Sequence, residues 1–346
     1  MKISTQLGYS GAFLETVAEV RELEMAGLDT VWVAEAYGFD GVSLMGYLAA
    51  ETERVQIASG ILPIYTRTPT LLAMTAAGVD ALSGGRAMLG IGASGPQVIE
   101  GFHGVAYDAP VTRTREIIEI CRKVWKKERL EHQGKKYQMP LQGGTGLGKA
   151  LKLITTPVRE EIPITVAALG PKSVEMTAEL ADGWLPIFYL ASKAKERWGD
   201  ALAAGKAKRD PKRAPLEVYA GGGVGIGEGL EALREMGRPM AALYIGGMGA
   251  RGKNFYNELF ASYGYEKEAA EIQDLYLAGK KPEAAAAIPQ SFIDATTLIG
   301  PESFVKDRLS ELKESGVNCL NVHLVGNDRS ERVKTLDQLR NLVATI

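Results

Sequence analysis

Eight times along the chain a brief, mostly apolar run rich in β-branched residues is followed by a segment of helical period, and this alternation leaves few folds open. The strand-like runs are Ile3 to Gly8, Thr30 to Glu35, Val55 to Gly60, Ala87 to Gly92, Pro163 to Ala168, Gly183 to Phe188, Leu216 to Gly222 and Cys319 to Val325. Each is short and apolar almost throughout, as strands covered on both faces are. Between them lie Phe13 to Ala26, Thr70 to Leu82, Thr112 to Lys127 and Pro301 to Ser315, which are amphipathic. Gly27, Gly84-Gly85 and Gly316 stand where helix C-caps place glycine. Eight such units predict the α/β class and a (β/α)8 TIM barrel, with residues 1–346 as one domain. Two stretches exceed what a barrel requires, about 131–161 and 228–298, and are expected as rim insertions. The first is glycine-rich without sustained period and reads as an excursion loop with a small hairpin; the second is largely helical by pattern.

Charge narrows the partners. Forty Lys+Arg against 42 Asp+Glu leave a formal net charge of -2, which supplies no field to hold a nucleic acid or an anionic membrane. The longest run free of Asp, Glu, Lys and Arg is 13 residues, short of the roughly 18 to 20 apolar residues of a membrane helix. The first residues, MKISTQLGYSGAFLE, lack the apolar segment of a signal peptide. A soluble cytoplasmic protein acting on a small molecule is expected. Cys121 and Cys319 lack the spaced partners of a zinc site or disulfide framework and read as core residues. His103, His132 and His323 are scattered, with no metal-ligand spacing, so no metal centre is expected. There is no Gly-x-Ser-x-Gly elbow for acyl transfer.

Glycine is in excess, at 40 of 346 residues, and three glycine motifs compete. Gly90-Ile-Gly92-Ala-Ser-Gly95 fits the dinucleotide pattern and follows a strand, but it comes after three earlier βα units and does not open directly into a long helix. Gly143 to Lys149 nearly spells a phosphate-cradling loop, yet Ala150 stands where a magnesium-binding hydroxyl is needed. The third, Ala167-Ala168-Leu169-Gly170-Pro171-Lys172-Ser173, joins the fifth strand to its helix. Pro171 suits a first helical position, and free amides beside Lys172 and Ser173 make either a phosphate pocket or an ordinary helix start. Gly60, ending strand three, fits a flat ligand approaching the backbone or a plain β-bulge. Glu35, ending strand two, is a carboxylate at the functional face of a barrel or a rim salt-bridge partner.

These pieces resemble the bacterial luciferase-like superfamily, and within it the branch using coenzyme F420, which includes methylenetetrahydromethanopterin reductase. The matching segments are Val31-Trp32-Val33-Ala34-Glu35, Ile57-Ala58-Ser59-Gly60-Ile61, Ser83-Gly84-Gly85-Arg86, the run from Gly92 to Gly104 (GASGPQVIEGFHG), and Ala168 to Ser173 followed by Ala181-Asp182-Gly183-Trp184. The resemblance implies a non-prolyl cis peptide at Gly60-Ile61, supporting one face of a deazaflavin ring, with Glu35 contacting the cofactor. It places Ser94, Gly95 and Gln97 against the ring and its polyol tail. Ala168, Leu169, Gly170, Lys172 and Ser173 become the phosphate-binding turn. It also implies a homodimer. One departure stands out: sugar-phosphate and alcohol dehydrogenases of this branch carry a histidine after the strand-two acid, and here that residue is Ala36. Ala36 cannot transfer a proton, which argues against those substrates.

The implied activity is a coenzyme F420-dependent oxidoreductase, transferring a hydride between the deazaflavin C5 and a small organic substrate. Polar candidates for the open face are Tyr9, Tyr65, Gln97, His103 and Tyr189. His103 has the useful ordinary pKa for a catalytic role, its other reading being to hold the Glu-Gly-Phe-His-Gly loop. An FMN-dependent luciferase-like monooxygenase and a non-catalytic flavin-binding barrel are the alternatives.

Overall fold

The structure, a computed structural model, describes residues 1–9 and 11–346 of the chain. Eight parallel strands close into a ring: β1 (Lys2–Gln6), β2 (Thr30–Val33), β3 (Gln56–Ser59), β4 (Ala87–Gly92), β5 (Ile164–Ala167), β6 (Gly183–Trp184), β7 (Glu217–Ala220) and β8 (Cys319–Leu324), with β8 pairing back onto β1. The helices between them are α1 (Phe13–Met25), α2 (Gly41–Glu51), α3 (Pro69–Ser83), α4 (Pro110–Trp125), α5 (Pro171–Leu180), α6 (Ala191–Lys208), α7 (Glu302–Glu314) and α8 (Arg329–Val343). This is the (β/α)8 barrel read from the sequence, strand for strand. Gly27, Gly84, Gly85 and Gly316 all have positive φ at helix ends, the backbone state that favours glycine. Strand β6 is shorter than its apolar run to Phe188 suggests. Pro186 has no N–H for the ladder, and Phe188 turns the chain with φ 53.

The main core fills the space between barrel and helices, with Val20, Leu48, Ile57, Leu72, Ile117 and Leu336 wholly buried. A second, smaller cluster of Trp32, Ala58, Met88, Tyr219 and Cys319 plugs the barrel itself. Trp32 and Tyr219 meet edge to face at 4.9 Å. Gly183 makes room for them, since a Cβ there would stand 3.0 Å from the Tyr219 ring. The interior is a packed layer rather than a channel, so ligands are confined to the mouth formed by the strands' C-terminal ends.

The excursion after α4 contains a two-stranded antiparallel hairpin, His132–Gln133 against Gln138–Met139. The buried carboxylate of Glu116 holds it by accepting backbone N–H bonds from Lys135 (2.8 Å), Lys136 (3.1 Å) and Tyr137 (2.8 Å). Farther along, Arg159 pairs with the wholly buried Asp80 of α3. The segment after β7 is helical over most of its length, as its pattern indicates. It is flanked by strands Gly223–Ile226 and Leu298–Gly300, which pair with one another beside β8. The glycine run GGGVGIG hides the alternation by which the first of these could be recognised. Arg86 is architectural: its guanidinium donates to the carbonyls of Ala49 (3.1 Å), Thr52 (2.7 Å) and Val55 (2.8 Å), closing the barrel base.

Candidate functional site

At the mouth, β3 steps out of register. Ala58 faces Met88 and Leu62 faces Ile91, so four steps along the β3 chain match three along β4, which is a β-bulge. The peptide bond inside it, Gly60-Ile61, is cis. The ladder bonds missing at the bulge are replaced by the Ser59 hydroxyl, which donates to Gly90 O and accepts from Gly90 N, both at 2.8 Å. Gly90 is required for this approach, since a Cβ would lie 1.7 Å from the Ser59 carbonyl oxygen. Gly60 is held from two sides: its N–H donates to Val33 O at 2.7 Å, and its carbonyl accepts from Gln6 Nε2 at 3.4 Å. A side chain at Gly60 would press on Trp32 at 3.0 Å, and one at Gly92 on Ile61 at 3.1 Å. The result is a nearly bare main-chain shelf lying on the Trp32 plug.

Two turns border the shelf. After β4 the chain passes through Ser94, with φ 57, and Gly95 into the short helix Pro96–Ile99, which leaves Gln97 exposed. After β5, Ala168 and Leu169 lead to Gly170 and the proline-initiated start of α5. No side chain among the described residues caps this helix end, so the early amides beside Lys172 and Ser173 are free to meet an anion. A Cβ added at Gly95 or Gly170 would meet nothing within 4 Å, so open space lies above both turns. The β5 turn is pinned from behind: Trp184 Nε1 donates to Ala168 O and Trp198 Nε1 to Leu169 O, each at 2.9 Å.

Glu35 sits at the rim in a network. Its carboxylate accepts both terminal nitrogens of Arg67, with Nη2 to Oε2 at 2.9 Å, and the Gly41 N–H at 2.9 Å. Arg67 also reaches Asp40 at 2.7 Å. This is the rim ion pair weighed in the sequence, and it braces the loop carrying Ala36 and Tyr37. His103 is half-buried; its backbone N–H donates to Val98 O at 3.1 Å, its ring meets Phe102 edge to face at 5.1 Å, and its Nε2 is buried with no partner among the described residues.

The five polar candidates for the open face separate. Tyr189 is buried away from the mouth, its hydroxyl donating to Ser315 O at 2.9 Å. Tyr65 is anchored to Asp108 O at 2.9 Å. Tyr9 stands exposed at the end of β1. His323, not singled out in the sequence, belongs to the mouth as well: Cys319 points into the barrel, and a period of two along β8 carries Asn321 and His323 inward after it. Desolvation lowers the His323 pKa and favours its neutral form. A cavity of about 390 Å³ opens beside it between α1 and α8, and Gln6 joins that space to the shelf.

The model of the luciferase-like monooxygenase family matches residues 1–319. The chain belongs to that family. A relative from Mycobacterium tuberculosis, named as a coenzyme F420-dependent oxidoreductase, is 39% identical over 98% of this chain and 99% of its own. The 5,10-methylenetetrahydromethanopterin reductase of Archaeoglobus fulgidus is 25% identical, covering 92% of this chain and 91% of its own. Among solved structures, the coenzyme F420-dependent tetrahydromethanopterin reductase from Methanopyrus kandleri superposes with a TM-score of 0.80 over 97% of both chains at 19% identity, which shows a shared fold. No helix among the described residues is long and apolar enough to cross a membrane.

Proposed function

We propose that the barrel mouth binds coenzyme F420 and that the protein transfers a hydride between the deazaflavin C5 and a small organic substrate on the ring's open face. The carrying observation is the bare shelf at Gly60-Ile61 and Gly92, bordered by an uncapped helix start: a flat surface for fused rings beside a seat for an anionic tail. Its full-length relative's name supports the same cofactor. On this reading Gly60 and Ile61 support the ring, and Ser94, Gly95 and Gln97 border it and its polyol tail. Ala168, Leu169, Gly170, Lys172 and Ser173 receive the phosphate, and Glu35 acts at the ring's edge. Bound there, the coenzyme would supply the two-electron chemistry. The chain's own tasks are to fix the reactants, exclude water and hold a proton, for which His103 is the titratable candidate.

Equilibrium fluorescence titration tests the reading. Coenzyme F420 is expected to bind much more tightly than FMN, and the reverse preference overturns the proposal. Oxygen consumption with reduced FMN would instead mark the monooxygenase alternative, because a deazaflavin lacks the N5 chemistry needed to activate oxygen.

We also infer a cytoplasmic homodimer. The outward face of α3 presents Leu71, Met74 and Leu82, exposed by 45%, 53% and 66%, with Gly78 and Ala81 between them and no charged residue. A patch of this kind suits a second copy of the chain.

A further inference from the structure

Aromatic residues ring the mouth above the shelf. Tyr9 and Tyr37 follow β1 and β2; Tyr107 reaches Ser94 O, beyond β4, at 3.5 Å; Tyr244, in the long insertion, meets Phe188, beyond β6, at 5.9 Å. Tyr256 meets Tyr244 edge to face at 4.8 Å. These are not isolated surface rings. Tyr9 is 67% exposed, with Tyr37 and Tyr244 close enough to act on its phenol. Partial desolvation, with the phenols of Tyr244 and Tyr37, pushes its hydroxyl up to about 12. Burial likewise raises Tyr244 and Tyr256, so all three hydroxyls stay protonated at neutral pH and act as neutral donors.

Three other tyrosines have fixed partners. Tyr65, Tyr107 and Tyr189 are each anchored to a backbone carbonyl. The hydroxyls of Tyr9, Tyr37, Tyr244 and Tyr256 meet no hydrogen-bonding group among the described residues. Around a single opening these four form a surface with flat apolar faces and hydroxyls that no described protein group takes up, Tyr9 and Tyr37 being exposed and Tyr244 and Tyr256 partly buried. Ala36, in the same loop as Tyr37, adds neither charge nor a proton.

Resting on the cofactor reading above, we propose that this rim is the substrate site. It selects planar, uncharged carbonyl compounds, the rings of Tyr37 and Tyr244 packing on the ligand plane, Tyr256 backing Tyr244 edge to face, and the Tyr9 hydroxyl donating to the ligand's carbonyl oxygen. Sugar phosphates and saturated aliphatic ketones fit this surface poorly: the former bring charge to a neutral donor set, and the latter offer no flat face.

Calorimetric titration of the complex with oxidised coenzyme F420 tests this without turnover. Coumarin serves as the planar uncharged probe, with cyclohexanone and glucose 6-phosphate as comparisons. Coumarin is expected to bind about tenfold or more tightly than cyclohexanone, as one or two aromatic contacts allow. Tyr37→Leu and Tyr244→Leu should each weaken it by about tenfold. Tyr9→Phe should weaken it by about fivefold, the share of one neutral hydrogen bond. Coenzyme affinity, read separately by fluorescence, should stay within about twofold in all three. Glucose 6-phosphate or cyclohexanone binding as well as coumarin would overturn the proposal. So would unchanged coumarin affinity in the folded Tyr37→Leu protein, whose exposed ring the fold does not need. If the coenzyme fails to bind while coumarin still depends on these tyrosines, the cofactor reading falls and the aromatic site stands.

Discussion

Trp184 and Trp198 show how single atoms at the back of a turn set its front. Each indole N–H occupies one carbonyl of the Ala168-Leu169 turn, so neither carbonyl is left unpaired and the amides beyond Gly170 keep their direction. Trp184→Phe preserves most of the apolar contact and deletes one of these bonds, leaving a buried acceptor unsatisfied. A loss of about 1–2 kcal/mol in urea unfolding is expected. Weaker coenzyme F420 binding in fluorescence titration, with the Ser94 side of the shelf undisturbed, should accompany it. The tryptophan at 184 was visible in the sequence as part of the Ala-Asp-Gly-Trp segment, but its partner was not, because a hydrogen bond across 16 residues leaves no periodic trace. Glu35 is similar: the sequence left open a rim ion pair, and Arg67, its partner from 32 residues away, could only be found in three dimensions. His323 was missed, although counting by twos along β8 reaches it once Cys319 is known to point inward.

Among the elements, the eight strands were readable because each is short, apolar and punctuated, and burial on both faces enforces that pattern. The rim segments obey no such rule. The hairpin after α4 is organised by one carboxylate, and this gives it an acid sensitivity. Although burial alone would raise the Glu116 pKa, the backbone amides of Tyr137, Lys136 and Lys135 outweigh it and hold the carboxyl below its ordinary value. A depressed carboxylate contributes stability that is complete above its unfolded pKa, about 4.3, and is lost as pH falls through the lower folded value. Amide exchange protection of the hairpin is therefore expected to drop below about pH 4 while that of the barrel strands persists. Glu116→Gln should start with weaker protection and lack the acid step.

For the whole molecule, assembly is the property most exposed to test. Leu71 and Met74 lie on a charge-free helix face that a solvated monomer would have little reason to keep. Replacing both with aspartate should shift the sedimentation profile from dimer to monomer while leaving the circular dichroism spectrum intact; a wild-type protein that sediments as a monomer would contradict the dimer. The sequence pattern showed that Thr70 to Leu82 is helical, yet it could not show which face looks outward, because both faces of α3 carry apolar residues and only packing against β4 and α4 decides between them.

The plug of Trp32, Met88 and Tyr219 beneath the shelf makes the barrel a cup with a sealed base. On the proposed reading, a guest resting on the main-chain floor has no exit downward, and one stacked above it would be released first, so architecture biases the order of exchange.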